Sequence, residues 1–242
     1  MGRTLAVGDI HGALKALKQV LAKAKVTPED HIIFLGDYVD GWSESAQVID
    51  FLIELKSTHN ITLLRGNHDD LAYQWLTERK HNESWLFHGG KATVQSYEGY
   101  SKAHIEIHKR FFESLDNYII LPSNKFFAHA GFQNIKGPEH EYHEITYYWD
   151  RTLWELACAT DKNLSPDDPL YPKRLTIFDE MYIGHTPLTR IGRSVPTQMM
   201  NVWNVDTGAA YKNPLSIIDV DTKEYWQSDP VNELYPDENG RN

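Results

Sequence analysis

Ile32-Ile33-Phe34-Leu35-Gly36-Asp37-Tyr38-Val39-Asp40-Gly41 is an apolar run that stops at a glycine and delivers two carboxylates directly after it. The same grammar precedes it in Leu5-Ala6-Val7-Gly8-Asp9-Ile10-His11-Gly12 and follows it in Ile61-Thr62-Leu63-Leu64-Arg65-Gly66-Asn67-His68-Asp69. Short β-branched apolar runs bounded by glycine read as buried parallel strands. Between them Leu14, Leu17, Val20 and Leu21 recur at helical spacing, with Lys15, Lys18 and Lys23 off that stripe, and Val48, Leu52 and Leu55 repeat the pattern. The unit is βαβαβ, an α/β architecture, in which functional groups collect at the carboxyl ends of the strands. Asp9, His11, Asp37, Asp40, Asn67 and His68 are therefore expected to converge.

The second half adds two more runs of this form, Phe126-Phe127-Ala128-His129-Ala130-Gly131 and Met181-Tyr182-Ile183-Gly184-His185-Thr186-Pro187. Their grammar singles out His129 and His185. The histidines at 31, 59, 81, 88, 104, 108, 140 and 143 have no such context and read as surface or core residues. Strands are expected near 117–121, 125–129, 179–184, 200–206, 215–220 and 223–227. Residues 68–114 read as helical, with breaks at His88-Gly89-Gly90 and Glu98-Gly99-Tyr100. Residues 132–178 form a long aromatic-rich segment between the two late histidines and are expected to cap the site. The tail from Asn232 reads as frayed. A single domain over residues 1–242 is expected.

Asp, His and Asn side chains without cysteine suit Mn²⁺, Fe²⁺ or Zn²⁺. A carboxylate between two such ions can bridge them, and two ions roughly 3.5–4 Å apart clamp both oxygens of an in-line displacement. Two divalent ions are therefore expected, Mn²⁺ first, with Fe²⁺ or Zn²⁺ as alternatives.

A net charge of −10 opposes nucleic-acid and anionic-membrane surfaces. The single cysteine, Cys158, excludes an intrachain disulfide and points to a reducing compartment. With no signal peptide or membrane span to read, the expected location is cytoplasmic.

These strings together resemble the calcineurin-like metallophosphoesterases, and among them the phosphoprotein phosphatase type of bacterial Ser/Thr phosphatases and diadenosine tetraphosphatases. The resemblance implies a four-layer α/β/β/α sandwich of two mixed sheets with helices on both outer faces. It implies that Asp9, His11 and Asp37 hold one metal, and that Asp37 bridges to a second held by Asn67, His129 and His185. It makes His68 the general acid and Asp40 its orienting partner. Proline at position 187, where many relatives carry a second histidine, agrees with the phosphoprotein phosphatase type.

One departure concerns phosphate binding. The family's second string continues Asp-Arg-Gly, and that arginine grips phosphate, whereas here Gly41-Trp42 follows Asp40. Arg151, in Tyr148-Trp149-Asp150-Arg151, is the remaining candidate for that grip. The implied activity is phosphomonoester hydrolysis by direct attack of metal-bound hydroxide, with a Ser/Thr phosphoprotein as the leading substrate. A small-molecule phosphoesterase, either dinucleotide polyphosphatase or phosphodiesterase, is the alternative, and a non-catalytic metal-bound scaffold the outside one.

Overall fold

A computed structural model describes residues 2–79 and 82–241. Ten strands form two mixed five-stranded sheets among these residues. In the first sheet the order is β10 (Tyr225–Gln227), β9 (Ser216–Asp219), β1 (Thr4–Val7), β2 (His31–Phe34), β3 (Asn60–Leu63). In the second it is β4 (Tyr118–Leu121), β5 (Lys125–Ala128), β6 (Glu180–Ile183), β8 (Val202–Asn204), β7 (Thr197–Met199). β1, β2 and β3 are parallel, as are β5, β6 and β8, and the outer pairs are antiparallel.

The period-two alternation of side chains assigns each strand residue to a layer. Leu5, Val7, Ile32 and Phe34 face outward, where α1 (Leu14–Lys23) and α2 (Ser45–Thr58) cover them with Leu17, Val20, Val48 and Leu52. Ala6, Ile33 and Leu35 face inward and meet Phe127, Tyr182 and Val205 of the second sheet. Phe127 and Tyr182 stack at 4.8 Å, so aromatic rings on one sheet fill the space that small and branched residues leave on the other. On the far face Phe126, Met181 and Ile183 pack under Tyr147, Tyr148, Leu153 and Trp154 of the 132–178 segment. The expected α/β/β/α layering is the observed one.

The helical stretch begins with α3 (Asn67–Glu78) and breaks where expected, at Gly89 and Gly99, whose φ values are +112° and +86°. Three details differ from expectation. β7 was not legible, because Thr197 and Gln198 are polar residues on an edge strand. The late strand near 200–206 shortens to Val202–Asn204, since Met200 turns at φ 50°. The tail is not frayed: Val231–Leu234 is helical, and Tyr235 is buried and stacked on Trp42 at 5.3 Å. No helix among the described residues is long and apolar enough to cross a membrane.

Candidate metal centre and active site

The loops at the carboxyl ends of β1, β2, β3, β5 and β6 meet at one place, and all eight strand-end residues singled out above lie there, buried. Four of them, His11, Asp37, Asp40 and His185, have φ between 52° and 73°. Left-handed backbone outside glycine is strained, and short polar side chains such as Asp and His tolerate it best. Sharp turns of this kind swing each side chain off its strand toward a common centre.

Two groups of potential ligands share Asp37. Asp9, His11 and Asp37 form one, and Asp37, His129 and His185 the other, with ligand atoms in each within 4.8 Å of one another. Asn67 joins the second group, its Oδ1 lying 3.2 Å from His129 Nε2. Backbone carbonyls fix the imidazoles. His11 Nδ1 faces the carbonyls of Val39 and Asp40 at 3.1 and 3.0 Å, and His129 Nδ1 that of Leu35 at 2.8 Å. Carbonyls only accept, so Nδ1 carries a proton, and Nε2 is the atom aimed inward that a metal would take, 3.5 and 3.4 Å from Asp37 Oδ2.

The electrostatics call for cations. Asp9, Asp37 and Asp206 are each 2 % exposed, and no Lys or Arg among the described residues forms an ion pair with them. Burial and the neighbouring Asp206 push the Asp9 carboxyl well up. Burial opposes charge on His129, yet Asp37 and Asp9 outweigh it and lift that imidazole to about 9. Buried carboxylates, imidazole lone pairs and an amide oxygen, with positive charge favoured at their centre, fit a pair of divalent ions.

Beside this cluster His68 Nδ1 donates to Asp40 Oδ2 at 2.5 Å, and His68 itself lines the cleft. Asp40 accepts two further bonds, from Trp85 Nε1 at 2.6 Å and Thr93 Oγ1 at 2.5 Å. Asp69 accepts the backbone N–H groups of Asp37, Tyr38 and Gly66, each at 2.8 Å, and so ties the second loop to the third. Asp69 closes the third of the strand-end strings, whereas Trp85 and Thr93 carried no distinct signal in the sequence.

A cleft of about 350 Å³ opens over Asp37, Asn67, His68 and His185. Arg151 lines it, anchored by Nη1 to the carbonyl of His185 at 3.1 Å and to Thr186 Oγ1 at 2.9 Å. Trp149 and Arg241 form other parts of its wall, as does His88, which the sequence had left as an ordinary surface or core residue. His81 lies outside the described residues. His104 and His108, also read as ordinary, converge with Asp50 in a third group able to hold a metal, in which Asp50 also accepts from Tyr100.

Strand-end carboxylates and histidines arranged around a shared aspartate on a two-sheet sandwich define a metal-dependent phosphoesterase. The calcineurin-like phosphoesterase family model matches residues 2–189, and the chain belongs to that family, which makes it a phosphoric ester hydrolase. The chain is 26 % identical over 228 residues to a bis(5'-nucleosyl)-tetraphosphatase PrpE (asymmetrical) of Anoxybacillus flavithermus, covering 88 % of each chain. It is 25 % identical over 241 residues to the protein of the same name from Oceanobacillus iheyensis, covering 90 % of this chain and 89 % of that one. A crystal structure provisionally assigned as a diadenosine tetraphosphatase superposes with a TM-score of 0.63 at 18 % identity, over 93 % of this chain and 92 % of that one.

Proposed function

We propose that the protein hydrolyses a small, highly charged phosphate compound, a dinucleotide polyphosphate before a phosphoprotein, at a dinuclear site shared through Asp37. This reverses the order expected from the sequence. The observation that carries it is the cleft itself, in which guanidinium groups and the indole of Trp149, 41 % exposed, stand around the site. Charged groups suit a chain of phosphates, and an accessible indole suits stacking with a nucleobase. The names of the curated relatives point the same way.

Asp9, His11 and Asp37 would hold one ion, and Asp37, Asn67, His129 and His185 the other. Bound there, two divalent ions supply Lewis acidity and a nucleophile from water at neutral pH. The protein side chains do the rest. Arg151, already fixed at Nη1, presents its remaining N–H groups to phosphoryl oxygens. His68 holds a proton at Nε2 for the leaving oxygen, and Asp40 stabilises the charged imidazole through Nδ1. Trp85 and Thr93 keep Asp40 in place.

The test is a panel of diadenosine tetraphosphate, mononucleotides, an aryl phosphate, a phosphodiester and phosphoserine peptides, each with Mn²⁺, Zn²⁺ and Mg²⁺. The dinucleotide should give the highest kcat/KM. Phosphopeptides turned over at least as well would restore the protein-phosphatase reading, and no turnover of any of them would favour a scaffold.

A further inference from the structure

We infer that Arg241, from the end of the chain, binds a phosphoryl oxygen of the substrate on the His11 side of the site. The inference rests on the hydrolase reading above and adds a residue to it.

Position 41 leaves a space beside the site. Gly41 has φ +115°, and a Cβ built there would lie 3.1 Å from Arg241 Cγ and 3.4 Å from the carbonyl oxygen of His11. Gly89 has φ +112°, and a Cβ there would also lie 3.1 Å from Arg241 Cγ. The Arg241 stem thus runs through a slot that two glycines keep open, and its side chain reaches the same cleft as His68 and Arg151.

The segment that delivers it is firmly held. Trp42 is fully buried, stacks on Tyr235 at 5.3 Å and donates Nε1–H to the carbonyl of Ala209 at 2.8 Å. Glu238 accepts the backbone N–H and the hydroxyl of Ser43 at 2.9 and 2.7 Å. Gly240 turns at φ +68° against Ala210 and Trp42, and the Arg241 N–H donates to the Ala210 carbonyl at 2.8 Å. Thus Gly41 admits the arginine and Trp42 anchors its backbone.

The guanidinium is bound through Nε, which donates to the carbonyl of His88 at 3.1 Å. Among the described residues no carboxylate forms an ion pair with it. A guanidinium held at one nitrogen and over the Tyr211 ring at 5.7 Å, with no carboxylate partner and facing a cleft of phosphate chemistry, is suited to anion binding. Arg151 stands beside His185 and Arg241 beside Gly41 and His11, so the two cations flank opposite ligand groups of the Asp37 cluster.

The test compares wild type, Arg241→Met and Arg241→Lys in the Mn²⁺-loaded full chain. Arg241→Met keeps an unbranched stem in the slot and removes the guanidinium, with its charge and its bond to His88. Metal content, kcat and KM for an aryl phosphate, and the affinity for inorganic phosphate by calorimetry are measured on each. Metal content should stay at the wild-type value, while KM and the phosphate dissociation constant rise by about 10-fold or more in Arg241→Met, the usual worth of a charge-assisted bond. Arg241→Lys should recover part of the loss. Wild-type phosphate affinity in Arg241→Met, or a loss accompanied by loss of metal, would overturn the inference. A wild type that binds phosphate but turns over nothing would sink the hydrolase reading instead, with the affinities still deciding the role of Arg241.

Discussion

Gly66 approaches Asp37 so closely that a Cβ on it would fall 2.1 Å from Asp37 Oδ1 and 2.2 Å from the Asp37 backbone nitrogen. The absent side chain lets the third loop lie against the bridging carboxylate, with the Gly66 N–H donated to Asp69 in the same turn. Gly66→Ala should therefore displace Asp37. The expected outcome is a folded protein, by circular dichroism, that has lost most bound metal and at least about 10-fold in activity. Full metal occupancy in this variant would show that the close approach is incidental.

The pair of His68 and Asp40 makes a second prediction. His68→Asn should lower turnover by roughly 10²–10⁴ with metal content unchanged. The loss should shrink for an aryl phosphate, whose leaving group needs little protonation. Equal losses on good and poor leaving groups would remove His68 from the role of acid. Trp85→Phe deletes one donor to Asp40 and should cost about 10-fold in kcat, short of the His68 loss.

Stability at the far end of β1 depends on Asp30. Its carboxylate, 4 % exposed, accepts from Arg3 N, Nε and Nη2 and from Thr27 N at 2.7–3.2 Å. The bonds from Arg3 hold its pKa well below the usual carboxylate range. A depressed folded-state pKa means stability that is complete above the unfolded value and is lost as the pH falls through the folded one. Asp30→Asn should thus lower unfolding free energy by about 2 kcal/mol at pH 7. The gap to wild type should narrow below about pH 4, where the unfolded-state carboxyl begins to protonate. A pH-independent gap in urea titrations would assign the effect to lost hydrogen-bond geometry instead.

The strand-end residues were legible because each closes a short apolar run with a glycine, and the parallel topology brings such ends together. Asp9 and His185 show how far that logic reaches. They come from different sheets, yet the His185 N–H donates to Asp9 Oδ2 at 3.0 Å. What the sequence hid consists of contacts without local periodicity. Trp85 and Thr93 reach Asp40 from 45 and 53 residues away, out of a helical stretch whose own pattern reports only its packing face. Arg241 was hidden more deeply, since a polar Pro-, Glu- and Asn-containing tail reads as solvent-exposed. The clue lay in Trp42, a large apolar residue next to the site, which is covered by Tyr235 and the backbone of Gly240.

The proposed hydrolysis depends on a pair of ions sharing Asp37. The most direct measurement is metal stoichiometry by elemental analysis after dialysis against Mn²⁺ and removal of excess, on wild type and Asp37→Asn. Two ions per chain in the wild type, falling together in Asp37→Asn with the loss of phosphoesterase activity, is the predicted result. A single ion per chain, or two that survive Asp37→Asn, would contradict the account.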